Sequence, residues 1–127
     1  MRFEDLEIWQ QSRELCKEIY KVTNYEEFNK DFRLRDQIRA SSGSIMDNIA
    51  EGFERNGNKE FVQFLYIAKG SCGEVRSQLY RATDNSYINQ AEFDTLLNQT
   101  LQLSKNISRF VQYLKTSPIS GHKNLKI

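Results

Sequence analysis

The sequence predicts an all-α fold, an antiparallel up-down-up-down four-helix bundle, from three observations. Apolar residues recur at steps of three and four in four separate segments, and no alternating strand pattern competes with them. The single proline is Pro118, so no proline interrupts those segments. The connections between segments are short, which favours antiparallel neighbours. We therefore expect one bundle domain over residues 1–116 and a flexible C-terminal tail over residues 117–127.

The first segment is predicted to run from Asp5, as the N-cap, to Val22. Residues 23–29, Thr-Asn-Tyr-Glu-Glu-Phe-Asn, are interpreted as a connection. The side chains that share the apolar face of this segment are Leu6, Trp9, Cys16, Ile19 and Tyr20. This face is expected to pack against the other helices.

The second segment is predicted from Asp31 to Asn56, ending at Gly57, which tolerates the left-handed backbone of a helix C-terminus. Beside its apolar stripe runs a stripe of small or polar residues that lets another helix approach closely. Glu51 or Glu74 is expected to bond Asn48 or a serine across that contact. We interpret these residues as a helix-packing motif rather than a ligand site: Ser44, Asn48, Glu51, Gly52 and, from the third segment, Gly70.

The third and fourth segments carry heptad seams, which predict left-handed packing against neighbouring helices. Asn58 is expected to cap the third segment, and Asn89 with Glu92 to form a capping box at the start of the fourth, which ends near Thr116. The third seam is Phe61, Leu65, Ala68, Cys72, Val75, Leu79 and Ala82. The fourth is Phe93, Leu96, Thr100, Leu103, Ile107, Phe110 and Leu114.

The start of the third segment is apolar on all sides, because every residue from Phe61 to Ala68 except Gln63 is apolar or aromatic. A helix of this kind must be covered on all sides, and a single bundle covers only one stripe of it. The opposite stripe is therefore predicted to meet another subunit. We expect a homo-oligomer whose interface includes Val62, Tyr66 and Gly73.

No catalytic, metal or cofactor site is predicted. The chain lacks a Ser-His-Asp set, a Glu-x-x-His metal pair, a phosphate-binding loop and a glycine fingerprint. Cys16 and Cys72 fall on apolar stripes and are interpreted as buried free thiols, and the lone His122 cannot assemble a zinc site. There is no run of about 18 apolar residues and no signal-peptide hydrophobic region. We expect a cytoplasmic protein that is not an enzyme and has no membrane partner.

Charge is segregated along a chain whose net charge is only +1. Residues 1–29 carry a net charge of −3 and residues 91–127 a net charge of +3. Two pairs of cations share helix faces at a spacing of four, Arg35 with Arg39 and Lys105 with Arg109, and they are the predicted phosphate contacts for RNA or DNA. Solvated helix faces with intrahelical ion pairs are the alternative interpretation. A protein-interaction scaffold without nucleic-acid binding is the alternative function.

One set of residues, spread over about positions 3–115, carries a resemblance to a known family. Its strongest part is the run Asn48-Ile49-Ala50-Glu51-Gly52 with the later Gly70-Ser71. The other members are Phe3, Asp5, Leu6, Trp9, Gln37, Ile38, Arg39, Ser44, Ile45, Phe61, Phe64, Leu65, Ala68 and Glu74. Together these residues resemble the bacterial four-helix-bundle family named for proteins encoded by intervening sequences in 23S rRNA genes, which also carries a ribosomal-protein label.

This resemblance implies a bundle that assembles into a ring of five with a basic surface suited to nucleic acid. A more distant relative, the accessory protein of diversity-generating retroelements, associates with a reverse transcriptase and RNA, so such a protein partner is implied here as well. The chain departs from the family pattern at residues 29–32, which lack the usual Phe-Pro, and at residues 40–43, which are more polar than usual.

Overall fold

The structure, a computed structural model, describes residues 1–117, and every regular element in that range is helical. A 3₁₀ turn at Phe3–Asp5 precedes five α-helices, four of them long. They are α1 (Glu7–Thr23), α2 (Glu26–Lys30), α3 (Phe32–Glu54), α4 (Asn58–Asp84) and α5 (Gln90–Thr116). The all-α prediction is confirmed for this range. The predicted tail lies outside the described residues from position 118 onward, as does His122.

Each of the four long helices packs against two of the others. α3 lies against α1 and α4, and α5 lies against α4 and α1. All seven seam residues of α4 are buried, and so are the seam residues of α5 except the half-buried Phe110. Each heptad seam therefore lies in the shared core, where removal of apolar surface from water stabilises the fold.

Residues 23–29, predicted as a connection, contain most of the short helix α2. Phe28 of this helix is fully buried, and its ring stacks on Tyr87 with centroids 5.2 Å apart. The Tyr25 hydroxyl, just before α2, donates to Glu92 Oε2 at 2.6 Å. Local propensity does not reveal this helix, because its stability comes from contacts with residues about sixty positions away.

Two helix starts show how the caps work. Asp31, where the second segment was predicted to begin, is the cap of α3 and accepts a hydrogen bond from the Leu34 amide at 3.1 Å. Its other carboxylate oxygen accepts from the Tyr87 hydroxyl at 2.9 Å, and these bonds lower the pKa of Asp31. The predicted box between Asn89 and Glu92 is confirmed, with both reciprocal bonds at 2.8 Å.

Other helix boundaries differ from the predictions. The first helix begins at Glu7 rather than at Asp5, which belongs to the preceding 3₁₀ turn. α3 ends at Glu54, two residues before the predicted end, and Gly57 with φ of +86° is the N-cap of α4. Asn58 is therefore the first residue of α4 and not its cap. The left-handed backbone at Gly57 was anticipated, but it starts a helix instead of ending one.

The close approach of α3 and α4 depends on Gly52. A Cβ at this position would lie 2.7 Å from Phe64 Cβ and 2.9 Å from the Phe61 ring, so only glycine fits. Gly70 does not take part, because nothing in residues 1–117 lies within 4 Å of where its Cβ would be. This corrects the expectation that Gly70 faces the small stripe of α3.

The polar bond across this helix pair joins two serines. Ser71 Oγ donates to Ser44 Oγ at 3.0 Å. Asn48 is bonded within its own helix, donating to the Ser44 carbonyl at 2.8 Å. Glu51 forms an ion pair with Arg55 at 2.9 Å rather than a bond across the contact. Serine hydroxyls thus take the role that the sequence assigned to a glutamate.

Both cysteines are free thiols, with Cys72 fully buried and Cys16 partly so. Burial raises the pKa of Cys72 to about 12 and also raises that of Cys16. In the part of the chain that the structure describes, no helix combines the length and apolar character that a membrane crossing requires.

Candidate nucleic-acid interface

Arg35 lies at the start of α3 with its guanidinium already engaged. Its Nη1 donates to the Asn29 carbonyl at 3.2 Å, and its Nε pairs with the Asp36 carboxylate at 2.9 Å. The guanidinium also lies 4.9 Å from the centre of the Phe32 ring. An intrahelical ion pair, the alternative interpretation of these cations, is therefore present at Arg35, and its partner is Asp36.

Arg39 ties α3 to the end of α1. Its Nε donates to Thr23 Oγ1 at 2.9 Å and its Nη2 to Asn24 Oδ1 at 3.2 Å. The guanidinium lies 4.4 Å from the centre of the Tyr20 ring, a cation–π distance. These contacts hold the guanidinium inside the protein's own network, which leaves little of it for a phosphate.

An open groove of about 700 Å³ lies beside Arg39, and we call it the Arg39 groove. Two carboxylates, Asp36 and Asp47, line it and oppose an anionic ligand. Its lining residues are Tyr20, Asp36, Arg39, Ala40, Gly43, Ser44, Asp47 and Asn48. The charge of this groove is therefore mixed.

Lys105 and Arg109 occupy a different surface, the exposed side of α5. Within residues 1–117 neither side chain has a hydrogen bond or an ion pair. Residues 95–117 contain no Asp or Glu, so no acid within this stretch of α5 offsets their charge. Lys115 lies on another side of α5, toward α4, where it donates to the Tyr66 hydroxyl at 2.6 Å.

A second groove, which we call the Arg109 groove, lies between the N-terminal turn with α1 and α5, with a volume of about 380 Å³. Tyr113 is 39% exposed, and its ring stacks on Phe110 with centroids 6.0 Å apart and planes 24° apart. The lining residues are Leu6, Glu7, Ile8, Asn106, Arg109, Phe110 and Tyr113. Apolar surface, one aromatic face and one free cation thus meet in one place.

The rim of the Arg109 groove is fixed by hydrogen bonds between α1 and α5. Asn106 Nδ2 donates to Gln11 Oε1 at 2.9 Å, and Gln11 Nε2 donates to Glu7 Oε1 at 3.2 Å. Glu7 is the one acid among the groove's lining residues. The rim therefore presents polar groups in defined positions above an apolar floor.

The four predicted phosphate contacts form two separate sites. α3 and α5 each pack between α1 and α4, so Arg35 and Arg39 lie on a different side of the molecule from Lys105 and Arg109. Sequence reasoning missed Tyr113 and Lys115. A signal existed, because Lys105, Arg109 and Tyr113 recur at steps of four and place an aromatic ring on the same helix face as two cations.

The predicted oligomer interface is corrected at Val62, which is only 8% exposed and belongs to the core of its own chain. Tyr66 is 49% exposed and Ile67 52%, and the position beside Gly73 is open space. The surface that remains uncovered, which we call the α4 outer face, consists of Tyr66, Ile67, Gly70, Gly73 and Tyr80.

The described residues contain no group of three or more His, Cys, Asp or Glu side chains that could hold a metal ion. The two tyrosine–carboxylate bonds, Tyr25 to Glu92 and Tyr87 to Asp31, join distant parts of the chain. They raise the pKa values of both phenols, which remain proton donors. We interpret them as contacts that hold the α2 end of the molecule together.

Comparison with known proteins gives a family and a related structure, and no match among curated proteins. The structure is that of a protein of unknown function from the S23 ribosomal protein family of Bacteroides thetaiotaomicron, with a TM-score of 0.76 and 24% identity over 83% of this chain and 98% of that one. At this identity the likeness supports a shared fold. The sequence model described as "23S rRNA-intervening sequence protein" matches residues 4–109. The chain therefore belongs to the 23S rRNA-intervening sequence protein family.

Proposed function

We propose that this protein is a non-enzymatic, cytoplasmic homo-oligomer that binds RNA or DNA through the exposed side of α5. The observation that carries the proposal is the pair Lys105 and Arg109, one turn apart on the exposed side of α5 within residues 95–117, a stretch that has no acid. Lys105 and Arg109 donate no side-chain hydrogen bond to any of the described residues. Free cations gathered on one helix face supply the sequence-independent contacts that phosphates need.

The strength of such binding depends on salt, because each phosphate contact releases a condensed counterion. For single strands the slope of log affinity against log salt changes by about 0.7 for each neutralised phosphate. At low salt, each phosphate contact is therefore expected to raise the affinity roughly tenfold. A symmetric oligomer repeats the α5 surface and multiplies the number of contacts.

The test is a salt titration of oligonucleotide binding, measured by fluorescence anisotropy, on two double variants. Lys105→Ala with Arg109→Ala is expected to lower the slope by about 1.4 and weaken low-salt binding by on the order of a hundredfold. Arg35→Ala with Arg39→Ala removes the same charge from the other site and is the matched control. We expect the control to change the slope little.

Two outcomes would contradict the proposal. If the wild-type protein retains neither RNA nor DNA at low salt, nucleic-acid binding is wrong. If the α3 control loses affinity and the α5 variant does not, the binding surface lies at Arg35 and Arg39. Both variants must first give wild-type circular dichroism spectra, since loss of fold would lower binding by another route.

We also propose that the long helices run antiparallel to one another in the order α1, α3, α4 and α5. Hydrogen bonds link Arg81 with Gln37 and Ser71 with Ser44, so residue numbers fall along α4 as they rise along α3. Asn58 bonds to the Leu114 carbonyl and Tyr80 packs on Phe93, which supports the same relation between α4 and α5. These contacts favour an up-down-up-down bundle.

Self-association is proposed through the α4 outer face. Its large side chains Tyr66, Ile67 and Tyr80 are each about half exposed, as is Leu101 of α5. Exposed aromatic and aliphatic side chains of this kind are enriched at protein interfaces. The resemblance to the family implies five subunits. Sedimentation of the wild type against Ile67→Glu tests this, and a wild type that sediments as a single chain at micromolar concentration would contradict it.

The same α4 outer face supports the alternative function, a scaffold that docks a different protein such as a reverse transcriptase without binding nucleic acid. Apolar docking depends weakly on salt, whereas phosphate contacts depend on it steeply. Retention of a partner protein that is unchanged at high salt, with no retention of oligonucleotides, would favour the scaffold.

A further inference from the structure

We infer that the Arg109 groove takes one unpaired base of a single-stranded RNA or DNA, which makes the preferred ligand single-stranded rather than duplex. This inference rests on the proposed nucleic-acid binding and adds a base-stacking site to it. The groove is separate from the α4 outer face and lies beside the cations of α5.

The groove has the size and the surface that a single base requires. Its volume of about 380 Å³ falls at the lower end of the range for small-ligand pockets, about 300 to 1,000 Å³. Leu6 and Ile8 contribute apolar surface, and the exposed ring of Tyr113 is the stacking platform. Phe110 stacks on Tyr113 and is itself edge-on to Phe61 at 5.6 Å, so the platform is supported from the core.

The charges beside the groove place the backbone of the strand. Arg109 lines the groove, and Lys105 lies one helical turn away, about 6 Å along the axis. Two neighbouring phosphates of one strand can therefore be contacted while the base between them enters the groove. The Asn106 amide and the Glu7 carboxylate at the rim are polar groups that can meet the edge of the base.

A duplex cannot use this arrangement without cost. Its bases are stacked and paired, so a base reaches a side pocket only by being flipped out, whereas an unpaired strand has bases free to splay onto aromatic side chains. The exposed cations alone would bind duplex and single strand alike. The stacking site is what distinguishes the two ligands.

The Arg39 groove, which also pairs an arginine with an exposed tyrosine, does not fit a base in the same way. Its Tyr20 ring is already covered by the Arg39 guanidinium at 4.4 Å. Asp36 and Asp47 line that groove and repel a phosphate. A base would have to displace Arg39 from Thr23 to stack there.

The experiment compares three labelled probes of equal length by fluorescence anisotropy at low salt: a single strand, the corresponding duplex, and a single strand with abasic sites. The abasic strand keeps every phosphate and lacks the stacking faces. We expect the intact strand to bind about tenfold or more tightly than the abasic strand, the range that base–aromatic stacking supplies. Equal binding of these two strands would overturn the inference and requires no variant of the protein.

Variants locate the base. Tyr113→Ala is expected to remove the preference for the intact strand, and Tyr113→Phe to keep it, since phenylalanine retains the ring. Tyr20→Ala, which removes the equivalent exposed ring of the Arg39 groove, is the matched control and should keep the preference. Loss of preference in Tyr20→Ala with none in Tyr113→Ala would overturn the assignment to the Arg109 groove.

The outcomes distinguish failure of the base site from failure of nucleic-acid binding itself. If Lys105→Ala with Arg109→Ala weakens binding while the intact and abasic strands bind equally, the proposed function stands and the base site is wrong. If the wild type binds none of the three probes, both are wrong.

Discussion

The outer sides of α3 and α5 each present two cations one turn apart, yet they differ in what those cations do. Arg39 of α3 bonds to Thr23 and Asn24 and covers the Tyr20 ring. Arg109 of α5 has none of these contacts within residues 1–117. The same spacing in sequence therefore yields different roles. Arg39 links α3 to the end of α1, whereas Arg109 is available to bind a ligand.

Two glycines, Gly52 of α3 and Gly70 of α4, also differ in whether they make contacts inside the chain. Gly52 of α3 lies where α4 approaches so closely that no side chain fits. Gly70 of α4 differs, because within residues 1–117 a methyl group there would meet nothing within 4 Å. Gly52 therefore serves a contact inside the chain, whereas Gly70 leaves its surface available.

The largest expected effect comes from the two glycines. Gly52→Ala should lower the free energy of unfolding by about 1 to 3 kcal/mol, because the added methyl overlaps Phe64 Cβ and α4 must shift. Gly70→Ala should raise it by up to about 1 kcal/mol through helix propensity. Urea unfolding followed by circular dichroism measures both. A Gly70→Ala chain that is less stable or assembles less would show that another surface lies against this position.

The next effect concerns the arginines. Arg39→Ala should lower the free energy of unfolding by about 1 to 2 kcal/mol, since it removes two hydrogen bonds and a cation–π contact. Arg109→Ala should change it by less than about 0.5 kcal/mol, as expected for an exposed side chain with no partner within residues 1–117. Equal losses in both variants would remove the distinction between the two helices.

The smallest effect is a pH dependence at the start of α3. The pKa of Asp31 is lowered below its ordinary value of 3.8, first by the Leu34 amide and then by the Tyr87 hydroxyl. Its stabilisation is therefore fully present above that value and is lost as pH falls through the lower folded-state pKa. Asp31→Asn should cost about 0.3 to 1 kcal/mol at neutral pH, because asparagine still caps the helix but lacks the negative charge that the helix N-terminus favours.

The measurement is the urea midpoint of wild type and Asp31→Asn at neutral pH and near pH 3. The difference between the two proteins should shrink in acid as Asp31 takes up its proton. A difference that stays constant would mean that the carboxylate charge contributes nothing to the cap. Arg109→Ala, far from this corner, should show the same pH dependence as the wild type.

Periodicity and capping chemistry predicted the parts of this fold that depend on local sequence. The α4 seam is buried throughout, and Asn89 with Glu92 forms the capping box that was predicted for α5. The short helix α2 was missed because Phe28 and Tyr25 are held by Tyr87 and Glu92, far along the chain. Spacing within one helix carries no information on such partners.

The candidate site was predictable to a smaller extent, for the same reason. The spacing of Lys105 and Arg109 indicated a cationic helix face. It did not show that Arg39 would meet Thr23, or that Leu6 and Ile8 would meet Phe110 to form a groove. Val62 was assigned to an interface because α4 is apolar on all sides, and only tertiary packing shows which of those sides its own chain covers.

The two native thiols make this chain convenient for labelling. With the pKa of Cys72 near 12 and that of Cys16 also raised, almost no thiolate of either forms near neutral pH. A cysteine introduced at an exposed site, for example Leu101→Cys, would react first with a maleimide dye. Energy transfer between copies labelled in this way would report assembly without prior removal of the native cysteines.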